Sequence, residues 1–279
     1  MPGGFPLGPD LCNANDQGTV TASSRGTSVT CGNSAYGSYV QLVASTPNDT
    51  CAMLVSVQTI ANSNSEFMEA ARIAVGGAGS EVVLIPDLTL TAPSSGYYAE
   101  NYFFPVNIPA GTRISAAGYC IGATDTIFVS VILFDGGFTN MEGAAGVDSI
   151  GWASGKGTNV TGGAAHTKGN FAQLTGVGGT VRDYIGFVVG FDNNNAALST
   201  TNDNILFDIA IGAGGSEQII IPNYPVGPPQ SSSSAGVFMT GDPSPFFPIA
   251  IPAGTRIAAR VQSIVASQTF GVTLYGVYQ

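Results

Sequence analysis

The sequence predicts an all-β protein of two tandem antiparallel β-sandwiches, jelly-roll-like, that arose by internal duplication. Three observations predict it. The first is a long repeat: Phe-Phe-Pro-Val-Asn-Ile-Pro-Ala-Gly-Thr-Arg-Ile at 103–114 returns as Phe-Phe-Pro-Ile-Ala-Ile-Pro-Ala-Gly-Thr-Arg-Ile at 246–257, an offset of 143. The second is composition: only 9% of the 279 residues are charged, and Gly, Ser, Thr and Asn stand where helices would want Lys and Glu. The third is period. Ile205, Phe207, Ile209 and Ile211 alternate with other residues, the two-residue repeat of a strand with one better-buried face.

In chain order, residues 1–17 carry Pro2, Pro6 and Pro9 among glycines and are expected as an extended arm. Residues 18–135 form the first sandwich, with the repeat beginning at Ala22-Ser-Ser-Arg-Gly-Thr-Ser-Val-Thr30, which matches 153–161. Gly37-Ser-Tyr-Val-Gln-Leu42 matches 169–174, and Ile73-Ala-Val-Gly76 with Ser80-Glu81 matches Ile209-Ala-Ile-Gly212 with Ser216-Glu217. The offset grows from 131 to 143 in unbroken order, as expected of a tandem copy with longer loops. The stretch Ser65–Arg72 looks helical alone, but it aligns with strand-like 201–208 and is expected as strand. Ile127–Phe134 and Phe270–Tyr278 are β-branched and aromatic on both faces, so each is expected to be covered on both sides. Residues 136–151 are expected as a glycine-rich linker, and 152–279 as the second sandwich. The Ile-Pro-Ala-Gly-Thr-Arg element is expected as a hairpin turn, with proline fixing φ and glycine taking a positive φ.

A net charge of −10 with dispersed cations argues against nucleic-acid binding, which needs phosphate neutralisation. No apolar run reaches the roughly 18 residues of a membrane span, and the start lacks the basic and apolar segments of a Sec signal. One histidine, His166, and no CxxC spacing make zinc improbable. No cofactor is implied. Gly151–Thr158 resembles a phosphate loop until Gly157 stands where Ser or Thr must follow the lysine. Asp192–Asn195 and Asn202–Asn204 offer oxygens to calcium but lack EF-hand order, and they fit turns better. No Ser/His/acid arrangement is present, so no catalytic residue is assigned.

The acid most clearly shared by both copies is Glu81/Glu217, and the cation is Arg113/Arg256. Each acid and cation are expected to form a structural pair within their unit. Cys12, Cys31, Cys51 and Cys120 are the disulfide candidates. The second copy lacks all four: Cys31 aligns with Gly162 and Cys120 with Ser263. The fold therefore does not require a bridge. The cysteines are either a local staple in the first unit or links between chains, with Cys12 in the arm best placed for a link.

The run Gly-Ser-Tyr-Val-Gln-Leu, then Ile-Ala-Ile-Gly-Ala-Gly-Gly-Ser-Glu, then Phe-Phe-Pro-Ile-Ala-Ile-Pro-Ala-Gly-Thr-Arg-Ile resembles β-rich structural proteins of tailed bacteriophage particles, over residues 22–279. The resemblance implies a non-enzymatic virion protein, made in the host cytoplasm and released on lysis. It would decorate or cement the head, neck or tail through contacts with other virion proteins, as a homo-oligomer such as a trimer. The alternative is a receptor- or glycan-binding module of a phage fibre. That reading needs aromatics in one groove, for which Tyr97, Tyr98, Tyr102 and the lone Trp152 are the candidates.

Overall fold

The structure, a computed structural model, describes residues 13–17, 26–59, 68–91, 98–121, 125–135, 144–153, 155–192, 205–226, 230–232, 235–237 and 244–279. Strands make up its regular structure, and no helix occurs among the described residues. The first unit holds β1 (Asn13–Gln17), β2 (Thr27–Asn33), β3 (Val40–Val43), β4 (Thr50–Thr59), β5 (Met68–Val75), β6 (Val82–Thr91), β7 (Tyr98–Phe104), β8 (Ile114–Cys120) and β9 (Thr126–Asp135). The second holds β10 (Gly146–Ile150), β11 (Thr158–Thr161), β12 (Ala172–Gln173), β13 (Gly186–Asp192), β14 (Ile205–Ile211), β15 (Gln218–Val226), β16 (Gln230–Ser232), β17 (Ala235–Val237), β18 (Ile257–Gln262) and β19 (Thr269–Tyr278).

Pairing in the first unit runs β2-β9-β4-β7 in one sheet and β3-β8-β5-β6 in the other, the order of a jelly roll. β2 starts against β9 and ends parallel to β8, so it turns the corner between the sheets. The second unit repeats the plan: β11-β19-β13 in one sheet and β12-β18-β14-β15 in the other. Registers match position by position. Val29 faces Ile127 where Val160 faces Phe270, and both valines are fully buried. Even the bulge in the β5–β6 ladder, at Arg72, recurs in β14–β15 at Asp208.

Three expectations change. Gly146–Ile150 was assigned to the linker, but it is β10, which pairs with β19 from Gly146↔Tyr278 to Ile150↔Leu274. Its counterpart β1, assigned to the arm, pairs with β9 from Asn13↔Asp135 to Gln17↔Val131. Residues 1–12, the remainder of the arm, lie outside the described residues. The Ile-Pro-Ala-Gly-Thr-Arg element is a corner and no hairpin, since β7 pairs with β4 while β8 pairs with β3 and β5, and the two do not pair with each other. Ile108 bridges Thr50 in one sheet, the turn docks on the β3–β4 loop through Gly111 N–H to Thr46 O at 2.9 Å, and the chain leaves into the other sheet. The positive φ expected at the glycine is present, 79° at Gly111 and 76° at Gly254.

The two cores fill the same frame differently. Phe191, Phe207 and Phe270 occupy the positions of Val57, Ala71 and Ile127, with Phe207 ring centroids 4.3 Å from Phe191 and 5.7 Å from Phe270. The expectation that both terminal strands are covered on two sides holds for one. β19 is buried along both faces, whereas β9 alternates buried and half-buried. The extra cover on β19 is the first unit itself. Val147, Val188, Tyr275 and Val277 of the second unit lie in one apolar cluster with Leu88, Leu90, Tyr102 and Phe104 of the first. The outer face of the β10-β19-β13 sheet thus closes the open side of the first sandwich, between edge strands β6 and β7.

Candidate functional site: braces, polar nodes and the boundary cleft

Each unit carries the same arginine brace. Arg113 reaches Glu81 at 3.0 Å (Nη1 to Oε1), the Gly76 carbonyl at 3.2 Å and Gln41 at 3.1 Å. Arg256 repeats this with Glu217 at 3.1 Å, the Gly212 carbonyl at 3.0 Å and Gln173 at 3.0 Å. Each guanidinium ties the corner to β3 or β12 on one side and to the β5–β6 or β14–β15 turn on the other. Each carboxylate turns back on its own turn, taking the Gly79 N–H at 2.8 Å or the Gly215 N–H at 3.0 Å. The glutamates' own main-chain amides, then the arginines, hold both carboxyls below the ordinary value against some desolvation. A carboxyl depressed in the folded state contributes stability above its unfolded pKa and loses it as pH falls through the folded one. Thermal stability is therefore expected to fall as the pH drops below the ordinary glutamate value of 4.5. The double variant Glu81→Gln/Glu217→Gln is expected to flatten that drop, as measured by melting temperature against pH.

The bulge builds a second polar group in each unit, with charges reversed. In the first, Asp87, at a left-handed φ of 52°, accepts the Tyr36 hydroxyl at 2.7 Å and Ser149 from the second unit at 2.5 Å. Arg72 lies 3.5 Å from the same carboxylate, with its guanidinium 3.3 Å from the Tyr36 ring centre. Burial, then the Asp87 charge, push the Tyr36 phenol well up. In the second unit Asp208 takes the place of Arg72, and Asn223 (φ 49°) that of Asp87. Asp208 accepts Lys168 Nζ at 2.9 Å, Arg260 Nε at 2.7 Å and the Asn223 N–H at 2.8 Å. Burial opposes its ionised form, but these three donors outweigh it and hold the carboxyl below its usual range. Burial draws Lys168 down, with Asp208 opposing. The carboxylates of both nodes accept bonds that fasten loops, Arg72 Nε is left without a partner, and no group forms a nucleophile–base pair.

At the unit boundary lies an open cleft of about 680 Å³, lined by Asp148, Trp152, Gln173, Leu174, Val181 and Tyr184 among others. Asp148 accepts both Tyr184 Oη and Arg182 Nε at 2.9 Å. Burial and then Asp148 raise the Tyr184 phenol. Trp152 stands edge-on to Tyr119 of the first unit, with centroids 6.1 Å apart. Beside the cleft, Tyr275 Oη donates to the Asp87 carbonyl and accepts the Thr89 N–H, each at 2.8 Å, and so satisfies the edge of β6. Tyr275→Phe is expected to cost about 1–2 kcal/mol, because it leaves a buried N–H and C=O unmade. Urea denaturation read from the single tryptophan measures it.

The expected acid–cation pairs are thus placed together, whereas the expected cysteines and aromatics scatter. No disulfide joins Cys31, Cys51 and Cys120 to one another, which removes the local staple among these three. Cys51 Sγ instead donates to the Phe134 carbonyl at 3.2 Å, and burial pushes the Cys31 thiol up. Cys12 lies outside the described residues, as do Asn193–Asn195, Asn202–Asn204, Tyr97 and the Tyr98 side chain. Tyr102 is no groove aromatic: it is 1% exposed and donates to the Thr89 carbonyl at 2.6 Å. Asp192 is buried and accepts the Gly157 N–H at 2.7 Å. Among the described residues no group of three or more His, Cys, Asp or Glu is placed to hold a metal. Sequence reasoning missed both nodes, because their residues differ between the copies, Arg72 standing where the second unit has Asp208.

The fold and these sites define a tandem jelly-roll protein with duplicated braces. No protein-family model and no curated protein matches the chain. Among solved structures it is similar to the N-terminal CBM22-1–CBM22-2 tandem domain of Paenibacillus barcinonensis Xyn10C, at 7% identity and a TM-score of 0.29, covering 96% of this chain and 84% of that one. It is also similar to infectious bursal disease virus, Gx strain, at 12% identity and a TM-score of 0.21, covering 98% and 74%. Likeness at this level says nothing of ligand or partner.

Proposed function

We propose that the chain is a non-enzymatic structural protein of a tailed-bacteriophage particle, which decorates or cements its surface through protein–protein contacts. The observation that carries this reading is how the two units use their polar groups. The shared Gln–Arg–Glu sets and the bulge nodes are spent on fastening loops, while apolar residues are displayed at the same sheet edge in both copies. Val82 and Val83 at the start of β6 are 65% and 40% exposed, and Ile219 at the matching place on β15 is 39% exposed. Exposed apolar residues on an edge strand suit contact with neighbouring proteins. Three copies would present six similar units to sixfold surroundings. Microscopy of purified particles tests the reading: the chain is expected in fixed copy number on the particle surface, and its absence from particles would end the proposal.

One observation favours a second reading, a glycan- or receptor-binding module. Trp152 lines the boundary cleft, and an aromatic face beside polar side chains suits a sugar ring. A glycan array with wild type and Trp152→Ala separates the two: binding lost in the variant supports this reading, and no binding by wild type removes it.

A further inference from the structure

The contact between the two units sets an outer sheet face of the second against an open sandwich edge of the first, and each unit carries the counterparts of both surfaces. The donor face of that contact is the outer side of β10-β19-β13, where Val188, Tyr275 and Val277 are fully buried. Because β4 and β13 pair with β9 and β19 in the same register, the first unit carries Leu54, Ile132 and Phe134 at those positions. All three are half-buried, on a face that in the second unit is wholly covered. Phe134 also meets Phe103, with centroids 5.9 Å apart, so the strip is continuous across β9, β4 and β7.

The receiving side of the contact is the edge of β6 with the residues around β7, where Leu88, Leu90 and Phe104 are fully buried. Its counterparts in the second unit are Tyr224, Val226 and Phe247. There Tyr224, Phe247 and Ile249 are half-buried, and Pro222 and Pro225 are exposed. The polar groups of the contact change together. Tyr275 Oη accepts the Thr89 N–H at 2.8 Å. Where Thr89 is replaced by Pro225, which has no N–H to satisfy, Tyr275 is replaced by Ile132, which has no hydroxyl. An apolar face of Ile132, Leu54 and Phe134 set against Pro225 strands no N–H at that position. Pro225 also bars strand-to-strand addition at this edge, so the contact is made by side chains.

We infer that the protein self-associates head to tail, the outer β9 sheet of one copy's first unit closing the β15 side of the next copy's second unit. Such a contact is heterologous, and it makes a ring where the rotation closes and a filament where it does not. The inference deepens the assembly reading by naming one partner, but it is tested in solution without the particle. Absence from particles with association intact would overturn the virion assignment alone.

The experiment is sedimentation velocity and light scattering on the full chain across a wide concentration range, with Ile132→Lys on the donor face and Tyr224→Lys on the receiving edge. Wild type is expected to exceed the 28.3 kDa of one chain. Each variant alone is expected to be monomeric. An equimolar mixture of the two is expected to give a species of two chains and nothing larger, because each variant keeps one sound face. A monomeric wild type, an unaffected variant, or a mixture that stays monomeric overturns the inference; an unaffected variant is what a symmetric dimer of one face against itself would give. Both substitutions fall at half-buried positions, and a thermal melt verifies that each variant folds. Leu54→Lys replaces Ile132→Lys should that one fail to fold.

Discussion

Asp208→Ala is expected to lower the unfolding free energy by about 3 kcal/mol, because removing one partner of a buried pair strands the other. The Asp208 side chain is 3% exposed, and it holds Lys168, Arg260 and the Asn223 N–H together at the bulge. Without it, Lys168 of the β11–β12 loop and Arg260 of β18 face one another uncompensated, and a left-handed backbone position loses the acceptor that fixes it. The Lys168 and Arg260 side chains are 14% and 29% exposed, so each recovers part of its hydration. That keeps the loss near the low end of about 3–5 kcal/mol. Asp208→Asn, which retains an acceptor for the amide, is expected to cost less. Urea unfolding followed by the fluorescence of Trp152 measures both. A change below about 1 kcal/mol, the size typical of an exposed pair, would mean that the node does not fasten the loops. Because this carboxyl is held below its usual range, its contribution is present above the unfolded pKa and fades as pH falls through the folded one.

How much of this was legible in the sequence depends on what the duplication preserved. The corner and its brace were legible because both copies kept the same residues: Glu81 with Arg113, Glu217 with Arg256, and a glycine at each positive φ. The jelly-roll order was legible only as a class, since an alternating pattern identifies strands and their faces but not their partners. β1 and β10 were missed because Asn-Ala-Asn-Asp-Gln and Gly-Val-Asp-Ser-Ile share no residue position for position, and neither alternates cleanly. The hairpin expectation erred for a physical reason. A Pro-Ala-Gly turn specifies local φ values, whereas docking on the Thr46–Thr50 loop decides which sheet the chain enters next. The nodes were illegible because the copies diverged there in compensating pairs. Arg72 and Asp87 became Asp208 and Asn223, and Tyr36 and Ala117 became Lys168 and Arg260, so each residue alone looked unshared. The same divergence hid the boundary, where Tyr275 and Thr89 correspond to Ile132 and Pro225.

Glu69→Ile is expected to act in the opposite direction and to stabilise the protein. Glu69 is fully buried at the start of β5, opposite Cys120 on β8, and neither carboxyl oxygen has a partner at hydrogen-bonding distance. Burial pushes its pKa up to about 8; Thr59 lies near enough to favour the ionised form a little, and Asp125 adds to the rise. Between the ordinary carboxyl value and about 8, the unfolded chain has released a proton that the folded chain keeps. Stability is then full below the unfolded pKa and declines as pH rises, by about 1.4 kcal/mol per pH unit at the steepest. The second unit holds Ile205 at this position, 1% exposed, so the frame accepts an apolar β-branched side chain there. The variant is expected to gain little at pH 4.5 and several kcal/mol, as an order of magnitude, at pH 8, where the wild type carries the full cost of a buried carboxyl. Unfolding free energies at the two pH values decide the matter. An equal gain at both would trace the effect to packing, and no gain at either would mean that water or a cation reaches the carboxylate. The sign is opposite to that at Asp208 for one reason: Asp208 is surrounded by three donors that favour its charge, and Glu69 by a core that does not.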